Sequence, residues 1–351
     1  MKLLFRFILL FFFLTAIVCK SEAQDCSGKL QYAQQLFDSG QIDEIPSLLD
    51  SCIRQGFLPY EKQKAYQLLI QVYLFNYDHN KADSLMVTFF KEFPTYKLKS
   101  GDPAEFSELF NQYKVKPLWG FGFSLGNNFP LIHVIENFSS ASLTNLDSKY
   151  SPGGISFVAG FLADRYIRPN LWISGELKFS ALKFQNVENF NNGKETLTYK
   201  EKTNWLDLPL MVNYSYGDKA LIPYVFAGLE FGYLLSASSE IRRVISTDIH
   251  YPDVVKPSEP ISNARKHFSL WGTAGLGVHY TIPHGYLSFR AGYSYGLLSY
   301  VKPEYRYSDI SQIGYDHYID DNFKINNIFF NIGYSRIFYQ FKKQAVNDSQ
   351  N

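Results

Sequence analysis

Six ionisable side chains, Glu176, Lys178, Asp207, Glu230, His279 and Arg290, stand in segments where apolar and polar residues alternate. In an alternating strand each of them points away from the apolar face, toward an interior. Acids and bases gathered there could relay a proton, hold an ion or neutralise one another. Buried charges must pair, so the expectation is a polar network that joins the acids to Lys178 and Arg290 and fills the interior. His250, His267 and His317 lie in or beside long connections, where an outer-membrane hydrolase would need a base. Their spacing pairs none of them with a nucleophile, so no catalytic residue, cofactor or metal site is assigned and no enzyme activity is expected. Tyr300, Tyr305, Tyr307, Tyr315 and Tyr318 cluster in one connection, suited to a glycan, a partner or an interfacial aromatic belt. Gly120, Gly122 and Gly126 lack the strand-to-helix context of a phosphate loop and read as points where a strand crowds its neighbour.

The chain that must position these groups has 351 residues, with 34 Lys and Arg against 33 Asp and Glu. A net charge of +1 gives no basic footprint for nucleic acid. Tyr, Phe and Trp make up 17% of the chain, and charged residues only 19%, which excludes disorder. Past the N-terminus no apolar run is long enough for a membrane helix, leaving a soluble β-rich protein or a membrane β-barrel.

Lys2 and Arg6 precede an apolar stretch from Phe7 to Val18, and Ser21-Glu22-Ala23 supplies small residues for cleavage before Gln24. Residues 1–23 therefore read as a secretory signal peptide. Cys26 and Cys52 remain in an exported chain, and they read as one disulfide, with two free thiols as the alternative. A hairpin of two helices brings them together.

From Ser27 to about Lys114 the apolar residues recur at helical spacing, in stripes such as Leu30, Ala33, Leu36 and Ile45, Leu48, Leu49. Asp102-Pro103 reads as a cap and first-turn proline for a last short helix. Tyr66, Leu69, Tyr73, Ala82 and Pro94 are spaced like a tetratricopeptide repeat, so residues 24–114 are expected to be a helical-repeat module.

After Pro117 the period becomes two. Leu206, Leu208, Leu210 and Val212 alternate with Asp207, Pro209 and Met211, and Leu287, Phe289, Ala291 and Tyr293 alternate with Ser288, Arg290 and Gly292. Eight such segments run at about 119–128, 155–167, 170–184, 205–214, 225–233, 271–280, 287–297 and 327–335. Long connections (129–154, 185–200, 237–266, 301–322) alternate with tight turns such as Arg168-Pro169-Asn170 and Pro283-His284-Gly285. That rhythm predicts a mainly β fold: an eight-stranded antiparallel up-and-down transmembrane barrel over 115–341, followed by a polar tail, 342–351. An even strand count places both chain ends, and the helices, on the short-turn, periplasmic side. A barrel of eight strands fills with side chains rather than leaving a pore.

Trp205-Leu206-Asp207-Leu208-Pro209-Leu210-Met211, Pro223-Tyr224-Val225-Phe226-Ala227-Gly228 and Arg290-Ala291-Gly292-Tyr293-Ser294-Tyr295-Gly296-Leu297 resemble segments of the PorT-like outer-membrane β-barrel family of Bacteroidetes-type envelopes. The resemblance covers about 118–341. It implies an outer-membrane location, a link to protein secretion, and Phe341 as the terminal aromatic of the barrel. The expectation for function is a non-enzymatic barrel that sits in the lipid bilayer and presents its helical module to a periplasmic or envelope protein. The alternatives are small-ligand binding or transport through the loops and lumen, and an outer-membrane hydrolase.

Overall fold

The computed structural model describes residues 22–138, 147–190, 194–217, 220–246, 253–308 and 317–344. The expected leader, apart from Glu22 and Ala23, lies outside them, as do His250, Tyr315 and the tail beyond Gln344. The chain divides into two compact units, Met1–Lys116 with Tyr339–Asn351, and Pro117–Phe338.

Among the described residues the first unit holds five helices: α1 (Glu22–Asp38), α2 (Ile45–Arg54), α3 (Pro59–Phe75), α4 (His79–Glu92) and α5 (Ala104–Asn111). Pro46 and Pro59 stand in the first turns of α2 and α3, where a missing N–H costs nothing. Asp78 caps α4 by accepting from the Lys81 N–H at 3.2 Å. Asp102 does not cap α5, contrary to the sequence expectation; it accepts instead from the Lys99 N–H, Tyr96 and Gln67. Cys26 and Cys52 are disulfide-bonded with their Cα atoms 5.6 Å apart, tying α1 to α2. One core gathers Ala33, Ile45, Leu49, Ala65 and Val72, and a second gathers Tyr66, Ile70, Met86, Phe89, Phe90 and Phe106. Phe341 packs on this second core, its ring stacked 6.0 Å from Phe90. The residue expected as the barrel's terminal aromatic thus contributes to the helical unit.

The second unit is built on long antiparallel strands: β1 (Tyr113–Glu136), β2 (Asp147–Pro152), β3 (Ser156–Arg168), β4 (Leu171–Phe190), β5 (Glu195–Ser215), β6 (Leu221–Ile245), β7 (Val254–Pro260), β8 (Phe268–Ile282), β9 (Gly285–Gly296) and β10 (Asn322–Lys343). Hydrogen-bonded neighbours form a ring of eight, β1-β3-β4-β5-β6-β8-β9-β10 and back to β1. The short β2 and β7 pair with the far ends of β4 and β6. Gly122 and Gly126 permit the β1–β10 approach: a Cβ on Gly126 would lie 1.9 Å from Asn331 Oδ1 and 2.4 Å from the Phe330 carbonyl.

Several strands exceed twenty residues, whereas a tilted strand needs only roughly 9–11 to cross a bilayer. The surplus is continuous with the ring but follows an inverted rule. On β5, Leu206, Leu208, Leu210, Val212 and Tyr214 face outward and are exposed, with Asp207 and Asn213 inward. Above Trp205 the apolar side chains Leu197 and Tyr199 turn inward, and Thr198, Lys200 and Lys202 face out. β4 changes likewise, from outward Leu177 and Phe179 to inward Leu182 and Phe184. On β6 a bulge at Leu235 switches the inward parity from Leu234 to Ala237. Much of the expected long connections 129–154, 185–200 and 237–266 is therefore strand, and on β4 and β5 that surplus has a polar outside, whereas Phe129, Leu131 and Ile135 on β1 stay exposed.

Candidate functional site: a filled lumen and a sealed mouth

Of the six ionisable residues expected to point inward, five are buried, and the Arg290 side chain is only 12% exposed. Five of the six form a charged network. The Lys178 ammonium lies 2.7 Å from Glu230, and Arg290 donates to Glu176 at 2.8 Å. Ser124 also donates to Glu176, and Ser180 donates to Asp207 at 2.6 Å. Asp207 sits directly across from Lys178 in the β4–β5 register. Strand pairing thus makes a compact charge lattice from residues far apart in sequence.

His279 is the exception. Its ring stacks 3.7 Å from Tyr286 and 4.2 Å from Tyr224, with Trp172 at 5.3 Å, so it belongs to an aromatic layer near the short turns. Asp164, which sequence reasoning missed, joins the interior by accepting from Tyr286. Its signal was present in the parity of Leu162 and Asp164 on β3. With Asp164 counted, four carboxyl groups face two basic groups. Asn127, Asp164, Asp207, Asn327 and Asn331 each keep a buried oxygen without a protein partner. Between Glu176, Lys178, Glu230, Arg290 and Asn331 lies a cavity of only about 20 Å3, room for one water. A larger concavity, about 930 Å3, is among Phe123, Leu125, Phe289 and Phe330, the exposed apolar side chains of the ring.

Trp205 and Trp271, in edge contact at 5.5 Å, begin an apolar layer with Leu182, Phe184, Leu234 and Phe323 above the charges. Beyond it lies a second ionic centre, which sequence reasoning also missed. Arg265 is fully buried and grips two carboxylates: Glu201 at 2.8 and 3.0 Å, and Asp320 at 2.7 and 2.9 Å. Tyr199 and Tyr300 each donate to Glu201. Tyr318 stacks on Tyr199 at 4.0 Å. Burial holds the Tyr199 and Tyr318 hydroxyls well above the usual phenol range, so both stay protonated donors. Asp321 accepts from the Phe138 N–H at 2.7 Å and from Tyr150 at 2.9 Å. Glu188 is pushed up to about 8 by burial, then by the nearby Asp321 charge. Arg265 escaped notice because it falls in a stretch read as loop.

Of the other sequence candidates, Tyr300 and Tyr318 are buried here, while Tyr305 and Tyr307 are exposed. His267 lies 6.1 Å from the Tyr233 ring, and His317 is 3.3 Å from Glu195, which also pairs with Arg243. Among the described residues, no group of three or more His, Cys, Asp and Glu is placed to hold a metal.

An aligned ring of strands with an exposed apolar belt and a polar interior is the architecture of an outer-membrane barrel. A family model for the outer membrane protein beta-barrel domain matches residues 110–302, more than half of the chain. The chain belongs to that family. The comparison with curated proteins found no match. Similar solved structures include OprG from Pseudomonas aeruginosa (10% identity, 64% of this chain and 97% of that one, TM-score 0.35). A major outer membrane protein from Thermus thermophilus is similar at 11% identity, 63% and 99% coverage and TM-score 0.33. The outer membrane protein AlkL, solved in lipid bilayers, is similar at 13% identity, 70% and 96% coverage and TM-score 0.31.

Proposed function

We propose that this protein is a non-enzymatic anchor: the barrel fixes it in the outer membrane, and the helical unit, on the periplasmic side, engages an envelope protein. The observation that carries this reading is the filled interior. Lys178 and Arg290 are each paired with a carboxylate, the cavity between these pairs is about 20 Å3, and the buried Arg265 centre lies above. What is left to recognise a partner is the helical unit and the outer surface. The PorT-like resemblance fits a role in envelope assembly or protein secretion, and the helical spacing fits a tetratricopeptide-like interaction module. The test is to tag the protein, crosslink intact cells, and compare what co-purifies with the full chain and with a chain lacking residues 27–114. A stoichiometric envelope protein lost with the helices is the expected result; an identical set of co-purifying proteins would sink the proposal.

A second reading, small-ligand binding or passage, draws on the five lumen oxygens without protein partners. It requires that charge reversal at Arg290 or Glu230 change uptake at unchanged barrel yield.

A further inference from the structure

Where the belt ends, two lysines face each other. Lys183 on β4 and Lys202 on β5 are directly opposed in the antiparallel register, and both point outward, since Leu182, Phe184, Glu201 and Thr203 beside them are buried inward. Opposed Cβ atoms lie ~4.5–5.5 Å apart, and like charges there repel. No salt bridge relieves either of them among the described residues. The other cross-strand neighbour of Lys202 is Ser238, and Gln185 follows Lys183 on the same face. Lys200, one rung further out, does face an acid, Glu240. The uncompensated positive charge is thus confined to one rung. Beneath that rung comes Ala181 opposite Asn204, and below these the outward residues are Phe179, Leu206 and Leu208, all exposed.

A doubled positive charge rimmed by a serine and an amide, one polar rung above an apolar wall, complements an amphiphile with an anionic head, a polar linkage and acyl chains. We propose that Lys183 and Lys202 form a binding site for the phosphate of a phosphorylated glycolipid in the outer leaflet, whose chains pack on Phe179, Leu206 and Leu208. The phosphate supplies the counter-charge that the rung lacks, and Gln185 and Ser238 offer donors to its remaining oxygens. The choice of leaflet rests on the long connections facing out of the cell.

Native mass spectrometry of the full chain in detergent tests this, with diphosphoryl lipid A, phosphatidylglycerol and phosphatidylethanolamine as competing probes. Lipid A is expected to be retained preferentially. Lys183→Gln with Lys202→Gln should lower its retention about tenfold, or ~1.4 kcal/mol, while Arg168→Gln at the opposite rim should leave it unchanged. Heat-modifiable gel mobility shows that each variant still forms the barrel. Equal retention by the double variant, or a preference for phosphatidylglycerol or phosphatidylethanolamine, would overturn the site.

Discussion

At the scale of single residues, the outer ionic centre is the most demanding arrangement in the chain. Arg265 satisfies two carboxylates at once, each through two hydrogen bonds, at a position from which water is excluded. Replacing it by leucine strands Glu201 and Asp320, and breaking a buried pair in this way costs about 3–5 kcal/mol. Arg265→Leu should therefore loosen the mouth, seen as earlier proteolysis of the segment near residues 317–321. Arg265→Lys should not restore it, because an ammonium lacks the planar fork that serves both acids. Glu188 makes the same region sensitive to pH. Its folded value, about 8, stands above the ordinary 4.5, so the fold prefers the protonated acid. Between those values the native state binds more protons than the unfolded one, and stability falls as pH rises. Amide exchange around residues 184–188 should thus be slower at pH 5 than at pH 8, after correction for intrinsic rates. Glu188→Gln should remove most of that difference.

At the scale of elements, two contacts set what the chain tolerates. The disulfide closes a separation of 26 residues between α1 and α2, and losing it frees unfolded-chain entropy of about 3.5 kcal/mol. Reduction should unfold the helical unit at lower denaturant while the gel mobility of the barrel stays unchanged. Gly126 is the other: valine there drives its Cβ into Asn331 and the Phe330 carbonyl. Gly126→Val should leave the chain heat-unmodifiable, with the β1–β10 seam unformed. Elements also show how far the sequence could be read. The belt segments were legible because Leu206 to Tyr214 and Leu287 to Leu297 alternate over bilayer-sized lengths. The upper halves of β4, β5 and β6 were not, because outside the lipid the apolar side chains move to the inner face and lysines and threonines take the outer one. A scan for outward apolar residues ends at that inversion and labels the rest as loop. The bulge at Leu235 hides the continuation further, since it shifts the phase of β6 by one residue. Lys178, Asp207, Glu230, Glu176 and Arg290 could be placed inward by parity alone. Their pairing could not, because Glu176–Arg290 and Lys178–Glu230 depend on strand register. His279 shared the parity but not the environment, its strand position lying two or more rungs toward the turns.

At the scale of the molecule, the interior of the strand ring is layered. The charges of the lumen, the tryptophan layer and the Arg265 centre stack one above another inside the ring. In planar lipid bilayers the purified protein should show no steady conductance in molar salt. Sustained channels of defined size would mean that the lumen lattice rearranges and would favour the ligand-passage reading.

The last strand ends among the helices. Phe341 lies on the Phe90 ring, Lys343 reaches Asp83 at 2.6 Å, and the Gln344 N–H bonds to the Gln112 carbonyl at 2.7 Å. Residues 341–344 therefore help to complete a core built mainly from residues 66–110, far earlier in the chain. A polypeptide delivered only as far as residue 340 keeps Phe110 and Tyr113 on the Phe90 ring but lacks the stacked Phe341, so the helical unit gains its last packing contact only with the final strand.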